Sequence, residues 1–161
     1  MRKVTISPNK DDKNEVPEAD SWLDLEKVAV VEISSEDPAF PIEHALAHTD
    51  MNGWRAAATG PQRIRLLFDR PQEIRRIQLH FVENEAERSQ EFWLLAFAEG
   101  ELFEIVRQQW NFSPQGSPEE LEDYKVEMKG VTALELRIDP DRSHDPSQSR
   151  HFASLRRLRL A

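Results

Sequence analysis

Gln62-Arg63-Ile64-Arg65-Leu66-Leu67-Phe68, then Asp69-Arg70-Pro71-Gln72-Glu73, then Ile74-Arg75-Arg76-Ile77-Gln78-Leu79-His80-Phe81 is the stretch that decides the fold. Ile64, Leu66 and Phe68 alternate with Arg63, Arg65 and Leu67, and Ile77, Leu79 and Phe81 alternate with Arg76, Gln78 and His80. Successive side chains of an extended chain point to opposite faces, so this period of two describes strands with one face buried and one in water. Arg70-Pro71 predicts a short turn between them, because proline fixes φ and has no amide to give to a ladder.

Outward from this pair the same reading continues. Phe92 to Phe97 is apolar throughout, as a central strand covered on both faces would be, and Glu99-Gly100 predicts a turn into a strand from Phe103 to Trp110. Further strands are expected at Leu121 to Met128, at Leu134 to Ile138 after a Lys129-Gly130 turn, and at Ala153 to Leu160. Upstream, the β-branched run Val28 to Ile33 reads as an opening strand and Ile42 to Ala47 as one or two helical turns. About eight strands with almost no helix close as an all-β antiparallel sandwich or jelly roll. Residues 1–20, rich in Asp, Glu, Lys, Asn and Pro, read as a flexible N-terminal arm, which leaves 21–161 as one domain.

Composition narrows the function. A formal net charge of -9 opposes general nucleic-acid binding, since phosphate backbones are held by an excess of Lys and Arg. The acidity is uneven, however: Arg150, Arg156, Arg157 and Arg159 close the chain with no acid from residue 146 onward, so a local basic face is compatible with the acidic whole. The absence of cysteine excludes a disulfide framework, a thiolate metal site and a Cys nucleophile. No apolar run reaches signal-peptide length or the ~20 residues of a membrane helix, so a soluble cytoplasmic chain with no membrane partner is expected.

Consecutive antiparallel strands place alternate connections at opposite ends, and here the lengths alternate. Short turns near 69–72, 99–101 and 129–132 fall at one end; loops 84–90, 111–120 and 140–152 fall at the other. Rigid scaffolds carry binding surfaces on such loops. The expected ligand-binding residues are Arg88, Trp110, Asn111, Phe112, Arg142, His144 and Arg150, an aromatic that stacks on a polar ring with charged donors around it. The plainer alternative is that Trp110 closes the end of the barrel and the arginines are solvated. On the outward strand faces Arg63, Arg65, Arg76, Arg137, Arg157 and Arg159 either form a basic stripe, if their strands are neighbours, or pair with Glu135 and other acids.

The order of these segments resembles that of discoidin domains, also called coagulation factor type C domains, which belong with the galactose-binding-like folds and the family 32 carbohydrate-binding modules. Val31-Glu32-Ile33-Ser34-Ser35-Glu36 is similar to the family's opening strand with its paired serines, and His44-Ala45-Leu46 with Trp54-Arg55 to its Ala-Leu-Asp-Gly segment and following Trp. Ile64 to Phe68, Pro71 and Ile74 to Leu79 look like its strand, proline turn and strand. Trp93 to Phe97, Glu99-Gly100 and Phe103 to Val106 resemble the next hairpin, and Leu136-Arg137-Ile138 with Ala153 to Leu160 the closing strands. The likeness spans about residues 28 to 160. It implies a jelly-roll sandwich that binds carbohydrate or, in relatives such as a DNA strand-break repair scaffold and an anaphase-promoting-complex subunit, protein. Where the family has Asp-Gly, a loop that commonly holds structural calcium, this chain has Ala47-His48, with Asp50 as the carboxylate that could substitute; no cofactor is expected, and calcium should not be needed for folding.

No catalytic residue is assigned. His44 and His48 stand four apart near Asp50, and His144 and His151 share a loop with Asp141 and Asp145, but polar loops carry such residues without chemistry. No nucleophile elbow, phosphate loop or readable acid pair occurs. The expectation is a non-catalytic module that recognises a carbohydrate or similar polar ligand at its long-loop end. The alternative is an intracellular protein-interaction domain of the same fold. Oligomeric state is not legible.

Overall fold

Gln62–Val82 forms one strand of 21 residues, β3, and Glu119–Asp139 a second of equal length, β6. The computed structural model describes residues 22–49, 51–143 and 149–161, and the arm expected at 1–20 lies outside these. Around the two long strands are a helical turn α1 (Leu25–Val28), β1 (Ala29–Ile33), a second turn α2 (Glu43–Leu46), β2 (Trp54–Thr59), β4 (Arg88–Ala98), β5 (Glu101–Phe112), β7 (Phe152–Leu155) and β8 (Arg157–Leu160).

The turns expected at 69–72 and 129–132 are instead corners inside continuous strands. Register between β3 and β6 slips from Leu67 to Arg76, where Gln72 faces Val131 and Ile74 faces Met128. Unequal residue counts on paired strands bend the ladder, Pro71 has no amide to offer it, and Gly130 takes φ +66°. Before the corner, β3 pairs with β1 on one side and with the C-terminal half of β6 on the other; beyond it, β3 pairs with β8 and the N-terminal half of β6. The strand order β1-β3-β6-β4-β5, with β8 beside the far half of β3, therefore folds over on itself. Ile64, Leu66, Ile77, Leu79 and Phe81 line one side of β3 and are buried, as their alternation requires. Phe81 and Phe92 meet across the fold with ring centroids 5.3 Å apart.

Two further expectations change. Ala153 to Leu160 is not one strand: Leu155 pairs with Trp54 of β2, whereas Leu160 pairs with Ile77 of β3, and the amide of Arg156 between them donates to His80 O at 2.8 Å. Phe92–Phe97 is not covered on both faces by backbone layers. Phe92, Leu94 and Ala96 face the core, while Trp93 on the outer face is half-buried beneath the Arg107 guanidinium, 4.3 Å from its ring centre.

Because Phe81 joins the two halves of the fold, Phe81→Ala is expected to cost about 3–5 kcal/mol. Urea unfolding should show a lower midpoint with an unchanged slope, and a loss below about 1 kcal/mol would contradict this packing.

Candidate functional site at the long-connection end

The connections after β3, β5 and β6 close one end of the molecule together. The Glu83 amide donates to Pro118 O at 2.7 Å and the Arg142 amide to Ser89 O at 2.8 Å, while Ser113 and Ser117 bridge the base of their own turn. Arg88 ties two of them to the end of β5. Its Nε donates to Glu83 Oε1 at 2.6 Å, and Nη1 donates to Pro140 O at 2.9 Å and Gln90 Oε1 at 3.1 Å. The guanidinium lies 4.7 Å from the centre of the Phe112 ring. Burial alone would raise the Glu83 carboxyl, but the hydrogen bond and charge of Arg88 and the Glu85 and Ala86 amides outweigh it and hold the pKa below the usual value.

The sequence-predicted residues divide accordingly. Arg88 and Phe112, expected at the mouth, are only 6% and 2% exposed, because Arg88 turns into the clamp and Phe112 belongs to the core. Trp110 also turns inward. It sits opposite Gln90 in the β4–β5 ladder, packs on the core, and leaves its Nε1 shielded without a hydrogen-bond partner. Asn111, Arg142 and Arg150 are exposed. The Asn111 carbonyl accepts from the Ser89 hydroxyl, and Arg142 Nε donates to Glu91 Oε2 at 2.9 Å. Behind them Ser143 Oγ donates to the buried Asp141 at 2.5 Å, and His151 Nε2 stands 3.6 Å from the same carboxyl. His144 lies outside the described residues.

No protein-family model matches the sequence, and no curated protein does. Solved structures do. The family 32 carbohydrate-binding module of C. perfringens NanJ, solved with galactose, superposes with a TM-score of 0.59 at 12% identity, over 86% of this chain and 96% of that one. A second Clostridium perfringens module, in complex with GalNAc-β-1,3-galactose, gives 0.59 at 18% identity over 87% and 99%. A pectin-binding module gives 0.58 at 14% identity over 83% and 90%. This chain has the family 32 fold.

The loop after α2 carries the residues that stand where the resembled family has Asp-Gly, and Asp50 within it lies outside the described residues. His44 Nδ1 is 2.7 Å from Asn52 Oδ1 and His48 Nε2 is 3.2 Å from Leu23 O, so both side chains are engaged in closing the loop. Among the described residues no cluster of three His, Asp or Glu side chains is placed to hold a metal.

Sequence reading missed a polar seam inside this family 32 sandwich, beside the clamp. Gln90 and Glu120 are buried, with Gln90 Nε2 donating to Glu120 Oε1 at 3.4 Å; Gln108 donates to Glu122 and accepts from the Tyr124 hydroxyl at 2.7 Å. Burial, then the hydrogen bond and charge of Glu122, push Glu120 up to about 8. The signal for it was Glu120, Glu122 and Tyr124 sharing one parity on a strand whose inner face should be apolar.

Two outcomes follow from this geometry. Arg88→Met should cost about 3–5 kcal/mol in urea unfolding, because it strands Glu83 and Pro140 O inside the clamp, and a near-neutral effect would contradict the clamp. Glu120 keeps its proton when folded up to about pH 8 but releases it near the ordinary 4.5 when unfolded, so its contribution is full at low pH and is lost as pH rises through that window. The melting temperature of the native chain should accordingly fall from pH 5 to pH 8 relative to that of Glu120→Gln; parallel profiles would refute the assignment.

Proposed function

We propose that this chain is a non-catalytic carbohydrate-binding module whose glycan lies on the rim of the long-connection end. The observation that carries the reading is the Arg88 clamp, which ties the connection after β3 to the one after β6 and rests on Phe112 at the end of β5, while Asn111, Arg142 and Arg150 are exposed around it. Amide and guanidinium donors on a fixed frame suit hydroxyl-rich ligands, because little side-chain or loop entropy is lost when the ligand is bound. Family 32 neighbours solved with galactose and with GalNAc-β-1,3-galactose support this ligand class. The protein-scaffold alternative draws no support from them.

Catalysis is not part of the reading. Glu120, whose raised pKa would suit a general acid, has no exposed surface, so a glycosidic oxygen has no route to it. The module would recognise its ligand and leave it unchanged.

A glycan array probed with the intact chain, followed by calorimetry on the best hit, tests the proposal. Asn111→Ala and Arg150→Ala are each expected to weaken binding roughly 5- to 20-fold, as loss of a polar contact should, whereas Trp110→Phe should leave affinity nearly unchanged. An array with no hits, or full affinity in a folded Asn111→Ala, Arg150→Ala double variant, would refute the assignment to this rim.

A further inference from the structure

The outer face of the layer formed by β1, β3, β6, β4 and β5 carries a row of cations that the rim does not use. Register sets Arg63 opposite Arg137, Arg137 opposite Trp93, and Trp93 opposite Arg107. Neighbouring strands lie ~4.8 Å apart, so the row spans roughly 14 Å across four strands. Of the six arginines expected on outward faces, Arg63 and Arg137 lie in this row, Arg65 sits opposite Glu135 in the next one, and Arg76, Arg157 and Arg159 lie past the corner on β3 and β8.

The acids lie underneath. Glu135, its side chain 1% exposed, accepts from Arg65 at 2.8 and 2.7 Å and from Arg137 Nε at 2.5 Å. Glu91 accepts from Arg107 Nε and from Arg142 Nε. Burial would push both carboxyls up, but the arginine hydrogen bonds and charges overcome it and hold both below the usual range, so both stay ionised. Arg107, Arg137 and Arg142 are all gripped through Nε, and their terminal Nη groups have no hydrogen-bond partner among the described residues. Arg63 has a single long ion pair, 4.0 Å to Glu135. These four side chains remain between 42% and 56% exposed. Exposed acids stand at both edges of the next row: Glu32 on β1, which pairs with Arg65 at 3.4 Å, and Glu104 on β5, opposite Leu95. A hollow of about 300 Å³ beside Arg63 is lined by Glu32, Ile33, Ser34, Arg63 and Arg65.

A guanidinium held at Nε still offers Nη donors, and Arg meets carboxylates through paired parallel hydrogen bonds. Grip by ionised, buried acids fixes these donors before a ligand arrives, which lowers the ordering cost of binding. We propose that this face is a second binding surface, for an extended polysaccharide with a carboxylate on each sugar, contacted by Arg63, Arg107 and Arg137. A flat, linear row suits an extended chain whose charges recur along its length. Single-stranded nucleic acid is disfavoured, because Arg107 covers the Trp93 ring on which a base would stack. The row shares neither Asn111 nor Arg150 with the rim, so the two readings fail separately.

Calorimetry with polygalacturonate, its fully methyl-esterified form and a single-stranded DNA oligomer tests the proposal. Polygalacturonate should bind with an affinity that falls steeply as salt is raised, and the esterified chain should bind at least about tenfold more weakly. The Arg63→Ala, Arg137→Ala double variant should lose on the order of tenfold or more, and lysine at both positions should not restore it. Asn111→Ala should leave this binding unchanged. The double variant is expected to fold, because Glu135 keeps both contacts from Arg65, and a thermal melt checks this. No binding of polygalacturonate, equal binding of the esterified chain, tighter binding of DNA, or full affinity in the folded double variant would each overturn the proposal.

Discussion

The pairing of β3 with β6 through a shared corner is the constraint on which the rest of the structure depends. A straight strand of this length would extend roughly 70 Å, far more than a sandwich of this size can hold. Folding both strands at one place returns Val82 and Glu119 to the end where Gln62 meets Ile138 and Glu91 meets Asp139. Three connections therefore leave from neighbouring points. The Arg88 clamp is possible only because this return brings Pro140 O within reach of a side chain 52 residues earlier.

The same fold-over leaves β5 and the N-terminal half of β6 without a common partner strand. Unpaired strand edges template association, and inward-pointing charge is one way of blunting them. Glu120 and Glu122 place polar carboxyls at this inward seam, where Gln90, Gln108 and Tyr124 donate to them, Glu120 Oε2 has no hydrogen-bond partner and Glu120 keeps its proton. An apolar seam here would be more stable and stickier. The raised Glu120 pKa is the energetic trace of that compromise.

What could be read from the chain followed from period two. Ile64 to Phe68 and Ile77 to Phe81 fixed which residues face inward, and the alternation of connection lengths placed Asn111 and Arg142 at the same end. The corner was not readable, because Arg70-Pro71 and Lys129-Gly130 signal a turn and a bend within a strand with the same residues. Nor was the burial of Arg88, since an arginine entering a strand is ordinarily solvated and its partners are remote in sequence. Trp110, for which the sequence left both a stacking role and closure of the barrel end open, packs on the core. It shares the parity of Gln108 and the core residue Phe112, a pattern that placed it inside once the strand was taken to continue through residue 112.

The acids under the outer face raise a question that stability does not answer. Exposed Arg–carboxylate pairs contribute ~0–1 kcal/mol, and burying a carboxylate incurs a desolvation cost that its pairing only roughly repays. Replacing Glu91 and Glu135 with apolar residues would therefore hold the sheet together about as well. Such a sheet would release Arg107, Arg137 and Arg142 to sample many rotamers, at the entropic cost that long charged side chains carry when a ligand later fixes them. With the two carboxylates in place, each of the three guanidinium groups is pinned by one nitrogen and presents the others outward. Positioning of cations, more than cohesion of the sheet, is the property that these buried acids supply and apolar residues would not.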